Sequence, residues 1–344
     1  MNSTTNINRS NNFDFLRLLF ASLVIVSHSY PLTGKPEIIG ILTKEQLSLG
    51  SLSVDCFFIL SGYLIMTSLE RSKSPQEYMW KRMLRLYPAY ILLLLLTMLF
   101  LPILYQGDNI FQEKTYWSYF PNALSLYKIQ YEVKGVFENN PYPKAINGSL
   151  WSLSYEFTMY IALLFLFPVR KHKYLIIIVG AIFLISYYLT ITESHFLENT
   201  MQKLFLQPNE FYKLCTYFMA GSLLKLINFE KINLFWVRCL LFLTLIASLY
   251  FVFYKYVSPV ILPLLILFIG VNKNRYISSI GSKIGDISYG VYIYAFLIQQ
   301  ILMYYWGLGT IKLMIASIII SYIFAYASWH LIEKKMLTYK NWVK

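Results

Sequence analysis

Charge is what this chain of 344 residues has least of. Only 14% of its residues are Asp, Glu, Lys or Arg, against about 25% in soluble domains. Histidine occurs four times and cysteine three times. With 57% hydrophobic residues there is too little polar surface to clothe a soluble fold, which excludes a soluble enzyme. The same apolar excess excludes intrinsic disorder, and so few cysteines exclude a disulfide scaffold. Cys56, Cys215 and Cys239 lie in or beside apolar runs, without paired or metal-like spacing. They read as packing residues. The sequence also lacks a metal-ligand cluster, a glycine-rich phosphate loop and a Ser-His-Asp pattern, so no metal is expected.

What the chain does have is apolar length. It carries 30 Tyr, 25 Phe and 7 Trp, and its mean hydropathy is +0.51. Runs of about 17–25 apolar residues read as membrane-spanning helices. Ten are visible, near 13–33, 51–68, 86–105, 150–168, 174–190, 211–227, 236–253, 257–271, 287–304 and 313–331. The eighth is short and holds Pro259 and Pro263. The expected fold class is therefore all-α, a polytopic integral membrane protein of about ten transmembrane helices. One domain, 1–344, covers the chain, with a longer outer connection at 106–149. The first apolar stretch follows a polar start without a cleavage pattern, so it is expected to be a retained helix.

The net charge of +13 is explained by topology rather than by nucleic acid. Basic residues collect in cytoplasmic loops. With the N-terminus inside, the inner connections hold 19 Lys and Arg in 76 residues, and the outer ones 10 in 95. Both termini are then cytoplasmic.

A few charges fall inside spans: Asp14, Arg17, Asp55 and Glu156, joined by His28. Ionisable groups at membrane depth are costly and mark cavities or pathways. An Asp14–Arg17 ion pair one turn apart is the plainer alternative. Arg17 and His28 are eleven residues apart, and eleven steps of 100° end only about 20° past three turns, so they share one helix face. They are separated by about 16.5 Å along the axis. A guanidinium at the inner mouth can hold an anion, and an imidazole further out can take a proton near neutral pH. A long donor with an anionic head and a reactive far end fits between them.

The Arg-x10-His of the first span resembles the signature of the acyltransferase-3 family of membrane acyltransferases. Other segments match in order: SVDCFFILSGYLI with Asp55, Ser61 and Gly62, KRMLRLYPAY with Arg82 and Arg85, NGSLWSLSYEFTMYI with Trp151 and Glu156, then ISYGVYIYAFLI and WHLIEKKM with Glu333. The resemblance spans nearly the whole chain. It implies ten helices and the transfer of an acyl group, commonly acetyl from acetyl-coenzyme A, to surface glycans or other extracytoplasmic acceptors. Two departures stand out. Many members carry a histidine in the ninth span, where this chain reads Tyr294-Ala295-Phe296. Some members append a periplasmic hydrolase-like domain, whereas this chain ends thirteen residues after its last span, so transfer is expected to be completed in the membrane domain or by a separate protein.

The resulting expectation is an O-acyltransferase of the bacterial cytoplasmic membrane. His28 is its proton acceptor, and Asp55 and Glu156 are the other catalytic-site acids. Arg17, Arg82 and Arg85 hold the phosphates of acyl-coenzyme A. A covalent acyl-histidine step is a variant of the same chemistry. Arg71 and Lys73 read as topological charges. Ser61-Gly62 reads equally as a close helix contact, and the Tyr-rich 106–149 connection as an interfacial aromatic belt or a sugar-stacking surface. His172 and His195 are expected in solvent and His330 in a structural role. The expected partners are acyl-coenzyme A, a glycan acceptor and the lipid bilayer, with a homo-oligomer left open. The alternative is a non-enzymatic transporter or flippase for an anionic or glycan substrate, which needs no proton acceptor at that depth.

Overall fold

The computed structural model describes residues 11–343 except 228, 273 and 275, together with all their side chains but that of residue 282. Arg9, Lys273, Arg275 and Lys344, four of the basic residues that bear on orientation, lie outside the described residues. Among the described residues there is no strand, only two isolated bridges, Tyr105 with Val136 and Glu132 with Ala145. The helices in chain order are α1 (Phe13–Ser29), α2 (Ile38–Leu42), α3 (Leu49–Arg71), α4 (Pro75–Leu104), α5 (Lys114–Leu124) and α6 (Trp151–Leu164). They continue with α7 (Leu175–Ile191), α8 (Glu198–Lys203), α9 (Pro208–Leu226), α10 (Phe235–Tyr250) and α11 (Tyr254–Val271). The last four are α12 (Ile280–Ile284), α13 (Ser288–Trp306), α14 (Thr310–Ser328) and α15 (Lys334–Met336).

Each of the ten apolar segments lies on one of these helices. Five helical stretches are long and apolar enough to cross a membrane: Phe13–Thr33, Leu49–Arg71, Pro75–Leu104, Tyr254–Val271 and Thr310–Asn341. The other segments form shorter or more polar helices. The proline-bearing eighth segment is among the five, because α11 continues through Pro259 and Pro263 for 18 residues. Prolines persist in membrane helices where neighbouring groups re-satisfy the freed carbonyls.

The most buried helix is α13, whose Ser288 and every residue from Gly290 to Gln300 are buried. An apolar helix covered on all sides belongs at the centre of a bundle. α1 packs against α3, α13 and α14, and α3 packs most extensively on α9. The α3–α9 crossing is a backbone contact. A Cβ on Gly62 would lie 1.9 Å from the Phe218 carbonyl oxygen, and one on Gly221 2.1 Å from that of Ile59. Gly62 therefore serves the close approach that small residues permit between membrane helices.

The connection 106–149 is folded, with α5 inside it. Tyr119, Val136 and Phe137 are buried, whereas Trp117, Tyr131 and Tyr142 are exposed. Cys56 and Cys215 are buried and unpaired, in keeping with packing roles.

Candidate active site

Two polar clusters sit at opposite ends of α1. At its start, Arg17 donates to Asp286 at 2.8 Å and Arg85 to the same carboxylate oxygen at 2.5 Å. Asp286 precedes α13, and its other oxygen accepts from Ser288 at 2.8 Å. The guanidinium of Arg85 also stands 5.7 Å from the Trp329 ring, a cation–π distance. The Asp14–Arg17 pairing gives way to this arrangement. Arg17 pairs with an acid 269 residues away, and Asp14 lies where a Cβ on Gly281 would meet its Oδ2 at 2.0 Å. Arg82 donates to Ser68 at 3.1 Å. Its Nε is buried and, among the described residues, has no acceptor. α14 ends in a π-helical turn, Trp329–Glu333, where Ser328 donates to the buried Glu333 at 2.9 Å. Such turns recur at functional sites.

At the far end of α1, His28 stands in the last turn of the helix. It lines a cavity of about 250 Å³ together with Ser27, Ser48, Trp151, Glu210, Lys213 and Tyr292, among others. Its Nδ1 is 3.5 Å from the Ser149 hydroxyl. The Phe296 ring meets its imidazole edge-on at 5.3 Å, so the ninth-span position that lacks a histidine supplies a packing wall for His28. A larger cavity of about 480 Å³ lies near Thr33, Asn140 and Gly307, away from His28 and from the arginines.

The surroundings of His28 are fixed in detail. Tyr292 donates to the Ser149 carbonyl at 2.7 Å, and Ser152 shares a 2.6 Å bond with the Tyr292 hydroxyl. Asn147 accepts from the Ser149 amide at 3.1 Å and donates to the Ile293 carbonyl at 2.8 Å. Gln299 donates to the Ile25 carbonyl and the Ser29 hydroxyl at 2.9 and 2.8 Å, which holds the last turn of α1 against α13. Glu37 accepts from Ser27 at 2.5 Å and from the Leu49 amide at 2.6 Å. A carboxylate at the start of α3 suits the positive end of the helix dipole.

The two site acids do not touch His28. Asp55 is buried on α3, with Lys213 of α9 3.8 Å away. Glu156 accepts from Ser61 at 2.9 Å and from Tyr160 at 2.6 Å. It sits one and a half turns along α6 from Trp151, between the two clusters. The fold brings Arg17 and Arg85 together and sets Arg82 one turn away on α4. It keeps His28 apart from both acids. Asp286, Glu210, Lys213 and Glu37 were missed in the sequence. The usable signal for Glu210 and Lys213 was Pro208, a residue suited to the first turn of a helix. It starts α9 there and places the pair at i, i+3, 2.9 Å apart. Of the remaining histidines, His172 and His195 are peripheral and His330 is half-buried. His195 pairs with Glu198 at the surface, His172 stacks on Tyr174, and His330 packs on Tyr326.

The sequence of residues 10–330 matches the acyltransferase domain of the acyltransferase-3 family. The chain is 30% identical to an O-acetyl transferase of Shigella phage Sf6, over 96% of this chain and 97% of that protein. It is 29% identical to nodulation protein 10 of Rhizobium leguminosarum bv. viciae over 44% of this chain and 43% of the relative. No solved structure matches. Membership of a family of enzymes leaves the non-enzymatic transporter reading without support. Several apolar helices and a match over nearly the full length make this chain a multi-pass membrane protein of the acyltransferase-3 family, which transfers acyl groups to an acceptor.

Proposed function

We propose that this chain is a ten-span O-acyltransferase of the bacterial cytoplasmic membrane, with both termini in the cytoplasm and 106–149 outside. It moves an acyl group, acetyl in the first instance, from cytoplasmic acyl-coenzyme A to a hydroxyl of a surface polysaccharide or lipid-linked glycan. The phage relative, an O-acetyl transferase, supports acetyl as the group. The observation that carries the reading is one unbroken helix, α1, with Arg17 in an arginine cluster at one end and His28 in a polar cavity at the other.

The arginine end fits the phosphates of coenzyme A. Two guanidiniums share the Asp286 carboxylate there, and the third, Arg82, donates to Ser68 while its buried Nε lacks an acceptor among the described residues. Arginine forks match phosphate oxygens. From that anchor the thioester arm has about 16 Å of α1 to run along before it reaches His28. His28 takes the proton of the acceptor hydroxyl as that oxygen bonds to the acyl carbon. The carbon–sulfur bond breaks, the sulfur leaves with its electron pair, and His28 returns the proton to it. Ser149, Tyr292 and Phe296 hold the imidazole in place. Asp55, against Lys213, and Glu156, against Ser61 and Tyr160, do not pair with the ring.

Mass analysis of surface glycan from cells with and without the gene tests the reading. Acyl groups present with the gene and lost without it are expected. An unchanged acyl content would overturn it.

A further inference from the structure

The cavity beside His28 carries more charge than a proton acceptor requires. Lys213 and Glu210 form part of its wall, with Nζ and Oε2 2.9 Å apart. Asp55 stands behind them, 3.8 Å from the same ammonium, with a side chain only 6% exposed. One carboxylate already matches the lysine, and a second lies close by. The cluster therefore offers donors and acceptors but no net positive charge. An anionic ligand needs an unmatched cation once it leaves water, and this cavity has none to give. Trp151, Ser27 and Ser48 also line the cavity.

Aromatic side chains and a polar pair around one cavity suit a sugar ring. A pyranose shows an apolar C–H face and a rim of hydroxyls, each of which donates and accepts. Lys213 donates to such a rim and Glu210 accepts from it. A cavity of about 250 Å³ has room for one ring of about a dozen non-hydrogen atoms.

We propose, on the acyltransferase reading above, that the His28 cavity is the acceptor subsite. It takes a single uncharged pyranose, and the Lys213–Glu210 pair backed by Asp55 is the group that selects it over acidic sugars. The pair thereby sets which residue of a glycan is acylated, while the arginine cluster sets only the donor.

Two measurements test this in the strain that carries the gene. Nuclear magnetic resonance of the polysaccharide, with and without the gene, identifies the sugar that loses its acyl group. An uncharged ring is expected, and a uronic or sialic-type acid would overturn the proposal whatever the variants do. Loss of no acyl group from any glycan would remove the reading on which the proposal rests. In membrane vesicles, with the deacylated polysaccharide as acceptor, Glu210→Gln and Lys213→Met are expected to raise the acceptor KM about 10- to 100-fold. The affinity for acyl-coenzyme A stays unchanged. A wild-type acceptor KM in both folded variants would reduce the cluster to a helix brace and overturn the assignment.

Discussion

Replacing Gly62 by alanine tests the packing that holds the cavity together. The added Cβ would lie 1.9 Å from the Phe218 carbonyl oxygen, where ordinary contact begins at 3.4 Å. α3 and α9 would have to part by about 1.5 Å, the difference between those two distances. Backbone faces backbone at this point, so no side chain can swing aside. Overpacking of a core costs about 1–3 kcal/mol, occasionally more, and the 3.1 Å bond from Ser222 to the Gly62 carbonyl weakens as well. Separation also reaches the site, because α3 carries Asp55 and α9 carries Glu210 and Lys213. Thermal unfolding of purified protein in detergent is expected to show a Tm lowered by several degrees. Gly221→Ala is expected to do the same, and the double variant to lose less than the sum, since one displacement relieves both clashes. Gly180→Ala serves as a control: nothing lies within 4 Å of its Cβ position, and no loss is expected. A Gly62→Ala protein with the wild-type Tm would refute the backbone contact between α3 and α9.

At the other end of α1, Arg82→Ala should weaken acyl-coenzyme A binding by about 10- to 150-fold, the loss of one charged hydrogen bond; unchanged affinity in titration calorimetry would return Arg82 to a topological role. Asp286→Asn should lower stability by about 3 kcal/mol, because Arg17 and Arg85 then face each other without their shared carboxylate, and a wild-type unfolding midpoint would show that the pair is solvated. A cysteine placed at the exposed Lys128 should react with an impermeant reagent on intact cells, and reaction only after permeabilisation would reverse the proposed orientation.

The helices were legible in the sequence because apolar runs are one-dimensional signals. Each of the ten runs coincides with a helix, even the short eighth, which holds two prolines. The ends of helices were less legible. Glu210 stands ahead of the sixth apolar run, yet α9 begins at Pro208 and carries it into the bundle. The Arg17–His28 alignment follows from the helix repeat alone, and α1 is continuous between them. Their partners were hidden because they come from distant parts of the chain. Asp286 reaches Arg17 across 269 residues, and Ser149 reaches His28 across 121. Asp286 sits in a basic connection, where an acid looks like loop composition. Only the placement of α13 beside α1 and α4 turns it into a bridge between two arginines. Likewise the tyrosines of 106–149 divide by burial, with Tyr116 and Tyr119 packed inside and Tyr131 and Tyr142 outside. Their sequence gives no period that separates the two sets.

Whether His28 is the proton acceptor is measured directly by acyl transfer per folded protein in His28→Ala, with donor binding followed alongside. The arginine cluster lies about 16 Å away along α1, so insertion, protein level and acyl-coenzyme A affinity are expected to stay near wild type. Acyl transfer is expected to fall by about 10²- to 10⁴-fold, the usual contribution of a general base. A packing histidine would give less folded protein with normal turnover in what remains, and near-wild-type acylation by His28→Ala would contradict the assignment of the proton acceptor.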